Sequence, residues 1–251
     1  MVAGLEKQRK FYDEAYAERR SYGIPDHPVG GVYWTARKIF ENDGVKSMLD
    51  IGCGKGAFMA LCAESGMKCK GIDISSVALK TASGLGFEVN CINVDEEEIP
   101  VDSQSVDGVF CCEVIEHVYD TDHLLSECSR ILKPGGTMIV TTPNLASWNN
   151  RLLLVFGYQP LNTEVSLRHT VGHPLRSQNP GGHIHCFTKK ALVELVSFHP
   201  SLQIVRFIRI GTSPMAADYP TKFRVAAKIG NTLFRTSSLS SDLFVVLKKR
   251  H

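Results

Sequence analysis

The chain has 251 residues, 43% hydrophobic and 22% charged, with a formal net charge of +2. That size and balance fit one globular domain, or one domain with an insertion, and the small net charge argues against a broad nucleic-acid-binding field. No apolar run is long enough to span a bilayer, and residues 1–10 lack the pattern of a signal peptide.

Residues 5–22 are charged and aromatic, and Tyr12 and Tyr16, four apart, would share one helix face. Such a helix either packs by its aromatic side or covers a ligand, so residues 1–44 read as a helical lid or extension. Residues 24–28 read as a loop and 33–40 as a helix. Residues 45–51 are a mostly apolar run with the character of a buried strand. They break at Gly52, Gly54 and Gly56 before a helical pattern resumes at 58–62. Glycines there allow a tight turn and let a ligand lie against main-chain N–H groups.

Residues 68–73 form a second strand that closes on Asp73, an acid placed to hold two ribose hydroxyls. A helix over 76–85, capped by Ser75 or Ser76, leads to a third strand at 87–92 and an acidic stretch at 95–100. A fourth strand at 106–112, a helix at 122–132, a turn at Pro134-Gly135-Gly136 and a fifth strand at 137–142 complete the pattern. Strands alternating with helices predict a parallel sheet covered on both faces, with ligands at the carboxyl ends of the strands. Gly52, Asp73, Asp95, Glu113 and Asn144 then lie along one rim. Eight cysteines occur without a CxxC pair, and Cys91, Cys111 and Cys112 sit inside strands as small hydrophobes; a reduced, cytoplasmic setting follows.

Residues 144–186 break the rhythm and read as a cap over the substrate. Trp148, Asn149, Asn150, Arg151, Tyr158, Arg168 and Arg176 would suit a sugar, a phenol or an anionic small molecule. The apolar run 152–156 reads as a helix packed into the core, or less simply as a lipid contact. A helix at 189–198, strands at 203–210 and 242–247, and a helical middle at 223–234 end the chain.

Gly52-x-Gly54-x-x-Ala57 is compatible with a dinucleotide fingerprint. Other features point elsewhere. Asp50 precedes the first glycine by two and can meet a cationic amino-acid group. Gly56 makes the loop GxGxG, Asp95 can accept from an adenine amino group, and the sheet ends in a hairpin-like pair. Leu49-Asp50-Ile51-Gly52-Cys53-Gly54-Lys55-Gly56, Gly71-Ile72-Asp73-Ile74-Ser75, the acidic stretch from Asp95, Val106-Asp107-Gly108-Val109-Phe110 and Leu132-Lys133-Pro134-Gly135-Gly136 occur in order. Together they resemble the class I S-adenosylmethionine-dependent methyltransferases. The resemblance implies an α/β, doubly wound, mostly parallel seven-stranded sheet with an antiparallel last strand. It also implies cofactor contacts at Asp50, Gly52, Cys53, Gly54, Asp73, Ile74, Asp95, Glu96 and Glu113.

Glu113, Glu116 and His117 are spaced i, i+3, i+4, and on a helical turn they would share one face. Two carboxylates and an imidazole suit Mg²⁺, Mn²⁺, Fe²⁺ or Zn²⁺. A further ligand would come from His183 or His185, with His185 favoured because it stands nearer Phe187. The cluster resembles those of ubiquinone-pathway O-methyltransferases and of metal-dependent small-RNA 3′-end 2′-O-methyltransferases. Methyl transfer from a sulfonium to a hydroxyl is an in-line displacement that needs a base or a metal to remove the proton. Glu116 and His117 are the catalytic candidates. Without a metal, Glu113 would orient a loop and His117, or less simply His169 or His173, would act as base near neutral pH. The expected function is O-methylation of a small-molecule hydroxyl. RNA 2′-O-methylation and a silent partner-binding subunit are the alternatives.

Overall fold

The computed structural model describes residues 2–17, 31–166, 168–173, 181–210 and 237–251. The loop expected at 24–28, the helix expected at 223–234 and Arg176 lie outside them. The helices are α1 (Val2–Ala17), α2 (Val32–Asn42), α3 (Ala57–Ala63), α4 (Ser76–Gly84), α5 (Thr121–Ile131), α6 (Trp148–Val155) and α7 (Lys189–Ser197). The strands are β1 (Ser47–Ile51), β2 (Lys68–Asp73), β3 (Glu88–Cys91), β4 (Val106–Cys112), β5 (Leu132–Pro143), β6 (Leu202–Ile208) and β7 (Asp242–Lys249).

One seven-stranded sheet has the order β3-β2-β1-β4-β5-β7-β6. The pairs from β3 through β5 are parallel, and β7 runs antiparallel to both β5 and β6. This is the doubly wound, mostly parallel sheet expected. Side chains alternate between its faces, as the two-residue period of a strand requires. Leu49, Ile51, Val109, Cys111, Met138 and Val140 pack with Leu124, Leu125 and Cys128 of α5 and Leu192 and Val196 of α7. Met48, Phe110, Ile139 and Phe244 pack on the other face with Ile39 and Phe40 of α2 and Phe58 and Leu61 of α3. Each such side chain, fully buried, contributes about 1.5–3 kcal/mol.

The strand order reverses between β1 and β4, whose ends are aligned through Ile51 and Cys111. A reversal opens a crevice at the carboxyl edge. Here it sets the loop after β1 against the loop after β4: a Cβ on Gly52 would stand 2.3 Å from Val114 Cγ2.

Two local expectations need correction. The turn expected at Pro134-Gly135-Gly136 is a bulge inside β5: Val106 pairs with Leu132, and the next paired residue, Gly108, meets Thr137. Gly135 at φ 77° lets the backbone make that detour. The apolar run 152–156 belongs to α6 and its end, yet Leu152, Leu154, Val155 and Phe156 are exposed, and the buried residue of α6 is Asn150. Asn150 is held in by bonds to the Asn144 carbonyl and the Leu161 N–H. No helix among the described residues is long and apolar enough to cross a membrane.

Candidate active site

The loop after β1 is drawn tightly against β2. The N–H groups of Gly52 and Cys53 both donate to the Ile72 carbonyl, and the Gly54 N–H donates to Asp73 Oδ2 at 2.8 Å. Gly52, Gly54 and Gly56 all take left-handed φ values, of 71°, 53° and 85°. Asp73 is 8% exposed, and its Oδ1 accepts from the Ser75 N–H at 2.8 Å. Burial raises its pKa, and the two backbone donors oppose that rise. Asp50 is buried behind the loop, and burial pushes its carboxyl well up, with Cys69 and Asp73 adding to the effect. A bound cation is what would restore the charge of such a group.

The helix α1 lies across this loop. Asp13 Oδ1 accepts from Ser75 Oγ at 2.7 Å and from the Val77 N–H at 3.2 Å, so it caps α4 alongside Ser75, whose Oγ accepts from the Ala78 N–H. Tyr16 OH stands 2.7 Å from where a Gly54 Cβ would be, and burial holds its phenol protonated. One turn earlier, Tyr12 meets the His117 ring edge-on at 5.7 Å, and Gln8 Nε2 donates to the His117 carbonyl. The shared face of Tyr12 and Tyr16 therefore bridges the glycine loop and the histidine cluster.

Asp95 stands on the rim, but its Oδ1 already accepts from the N–H groups of Tyr119 and Asp120 at 2.6 and 3.0 Å. It clamps the loop after β4 to the loop after β3. Glu96 is exposed, and the Ile74 carbonyl accepts from the Cys91 thiol.

The acidic cluster does not form on one helical turn. Glu113 takes a left-handed φ of 54°, and only Ile115–His117 coil, as a short 3₁₀ turn. Glu113 thereby turns toward Thr141, whose hydroxyl donates to its Oε1 at 2.8 Å. Burial raises the Glu113 pKa, although the residue keeps solvent access, so that rise weighs less than the one at Glu116. Glu116 points inward at 1% exposure, and neither carboxylate oxygen has a hydrogen-bond partner among the described residues. Burial, then the Glu113 charge, pushes its pKa well up.

His117 and His183 stack with ring centroids 4.7 Å apart. Ligand-type atoms of Glu116, His117 and His183 lie within 4.8 Å of one another. His117 Nδ1 donates to the Gly182 carbonyl at 3.3 Å, and its Nε2 is 3.9 Å from Glu116 Oε1. Burial, with the neighbouring His183, lowers the His117 pKa to about 3. A base working near neutral pH, expected for the metal-free case, does not match that environment.

The histidine that joins the cluster is His183 and not the favoured His185. The backbone N–H groups of Ile184 and His185 both donate to the Glu116 carbonyl, which docks this segment beside the 3₁₀ turn. His185 Nε2 instead donates to the Tyr119 carbonyl at 3.2 Å. His183 Nδ1 lies 2.9 and 3.0 Å from the two oxygens of Glu164. His169 is exposed on the insertion surface. Asp13 and Glu164 were not singled out by sequence, whereas Tyr16 was, through the helix face it shares with Tyr12. Glu164 did leave a signal: it is the only acid in residues 144–186.

Residues 49–140 match a family described as "Methyltransferase domain". A ubiquinone biosynthesis O-methyltransferase of Leptothrix cholodnii is 32% identical over 117 residues, covering 44% of this chain and 49% of the relative. One from Idiomarina loihiensis is 36% identical over 113 residues, covering 41% and 45%. The chain thus spans about half the length of the curated relatives it matches. Among solved structures, the 1,6-didemethyltoxoflavin-N1-methyltransferase of Burkholderia thailandensis superposes with a TM-score of 0.60 at 16% identity, covering 100% of this chain and 89% of that one. A SAM-dependent methyltransferase from Archaeoglobus fulgidus gives 0.53 at 20% identity, covering 86% and 94%. These two likenesses show the fold. With the motif order, the glycine loop closed by Asp73 and the matched family in hand, residues 49–140 are a methyltransferase domain, similar to those of the class I S-adenosylmethionine-dependent methyltransferases.

Proposed function

We propose that this chain methylates a hydroxyl of a small molecule bearing two neighbouring hydroxyls, using S-adenosylmethionine and a divalent ion held by Glu116, His117 and His183. The observation that carries the reading is the state of the cluster's polar atoms. Both Glu116 oxygens are buried without a hydrogen-bond partner among the described residues. Both imidazoles spend Nδ1 on protein acceptors, Gly182 and Glu164, which leaves the Nε2 lone pairs for a ligand. One carboxylate and two imidazoles fit Zn²⁺, Fe²⁺ or Mn²⁺. Glu113, one residue after β4, is close enough for its charge to act on Glu116 and belongs to the same rim.

The residues around the glycine loop fit the cofactor. Asp50 would face its ammonium group, and Asp73 retains lone pairs beyond its two backbone bonds for ribose hydroxyls. When bound, S-adenosylmethionine would supply the methyl group, and an ion held by Glu116, His117 and His183 would supply the Lewis acidity that lowers the pKa of an acceptor hydroxyl. The chain's own part is to orient the acceptor hydroxyl and to exclude water. Residues 1–44, through α1, act as the lid, and residues 144–186 shape the acceptor pocket. Eight free thiols support a cytoplasmic setting.

The reading is tested by transfer of a labelled methyl group to ortho-diphenols and to RNA ending in a ribose diol, with and without a chelator. We expect label on the diphenol oxygen, loss of turnover on chelation, and unchanged S-adenosylhomocysteine binding by calorimetry. Undiminished transfer after exhaustive chelation overturns the metal assignment. Label on the RNA alone overturns the small-molecule assignment.

A further inference from the structure

We propose that Glu164 is the positioning residue of the histidine pair: its single carboxylate fixes the tautomer of His183 directly and that of His117 through the Gly182 carbonyl. The inference rests on the reading above, in which the two Nε2 atoms do the binding. Glu164 makes contacts on either side of Gly182. Oε1 accepts from the Gly181 N–H at 3.0 Å, and Oε2 accepts from the His183 N–H at 3.2 Å. The same two oxygens receive the His183 imidazole through Nδ1. Residues 181–183 are therefore wrapped around one carboxylate, and the carbonyl in the middle of that wrap is the acceptor for His117 Nδ1.

A carboxylate has no proton to give at neutral pH, so it accepts from Nδ1–H, and in the neutral ring Nε2 is then left as a lone pair. A backbone carbonyl imposes the same choice on His117. The loop that carries Glu164 is itself held. Gln159 Nε2 donates to the carbonyl and hydroxyl oxygens of Thr163, and the Leu161 N–H donates to the buried Asn150. Carboxylate-supported imidazoles are the usual outer layer of a metal site, and loss of the support typically weakens metal binding by about 10–100-fold.

A merely structural staple would hold the loop without dictating which ring nitrogen carries the proton. Long-range ¹H–¹⁵N spectra of the metal-free protein at fixed pH read that directly. We expect both His117 and His183 as Nδ1–H tautomers in the unmodified chain. Glu164→Ala should move His183 toward Nε2–H and weaken Mn²⁺ or Zn²⁺ binding by about 10–100-fold. Glu164→Gln keeps an oxygen that accepts from Nδ1–H, so it should keep the tautomer while binding the ion several-fold less tightly. An Nε2–H His183 in the unmodified chain, or unchanged tautomers in Glu164→Ala, overturns the proposal. If Glu164→Ala does not fold, full metal affinity in Glu164→Gln overturns it instead. Should the unmodified chain bind no ion at all, the metal reading fails, and the tautomers alone still decide the role of Glu164.

Discussion

The glycine loop and the histidine cluster face each other across the switch point of one sheet, and they treat buried charge in opposite ways. At the loop, Asp73 has a backbone donor on each oxygen before any ligand arrives. At the cluster, Glu116 is more deeply buried and has none among the described residues. A satisfied buried acid stiffens the backbone around it, whereas an unsatisfied one raises the free energy of the folded state until something binds. The loop is thus built as a scaffold, and the cluster, on the function proposed above, is completed by a cation.

The largest effect should come from removing the scaffold's geometry. In Gly52→Ala the new Cβ meets Val114 Cγ2 at 2.3 Å on a residue whose φ is 71°. Overpacking and left-handed strain together should destabilise the fold by on the order of 3 kcal/mol, read as a shift in the urea midpoint. A midpoint within error of the parent would mean that the two loops do not meet as described.

Next, Glu116→Gln should make the metal-free protein more stable while removing metal-dependent turnover. A folded-state pKa raised by burial gives stability that is complete below the unfolded value and is lost as pH rises through the folded one. The gain from Glu116→Gln should therefore be near zero at about pH 4 and grow to roughly 1–3 kcal/mol at about pH 8. His117 contributes with the opposite sign. Its folded pKa of about 3 lies below the ordinary imidazole value of 6.5, so stability falls as pH drops below 6.5. His117→Gln should flatten that acid limb of the stability profile. A gain from Glu116→Gln that does not depend on pH would contradict a buried, titrating carboxyl.

A smaller effect is expected at Asp73. Asp73→Asn keeps the size but loses the charge that accepts from Gly54 and Ser75. S-adenosylhomocysteine affinity should fall about tenfold, since a hydrogen bond to a charged group contributes roughly 1.5–3 kcal/mol. Calorimetry showing undiminished affinity in a folded Asp73→Asn would remove Asp73 from the cofactor site.

The succession of strands and helices along the chain was legible because its signals are local. Apolar runs such as 45–51 end in glycines, and the helix after Ser75 carries its own cap. The rim residues followed from topology alone. The cluster was half legible, for a physical reason. Spacing placed Glu113, Glu116 and His117 together, but a positive φ at Glu113 turned that side chain to Thr141, which no periodicity announces. The choice between His183 and His185 depends on an irregular segment positioned by the Glu116 carbonyl and by Glu164, contacts that span tens of residues. Asp95 shows a different limit: its place on the rim was readable, while its commitment to the Tyr119 and Asp120 N–H groups was not.

The most direct test of the proposed cation site is calorimetric titration of the chelated protein with Mn²⁺ or Zn²⁺, comparing the unmodified chain with His183→Ala and His185→Ala. The expected result is one ion per chain, lost in His183→Ala and retained in His185→Ala. Equal uptake by both variants, or none by the unmodified chain, would contradict the cation site of Glu116, His117 and His183.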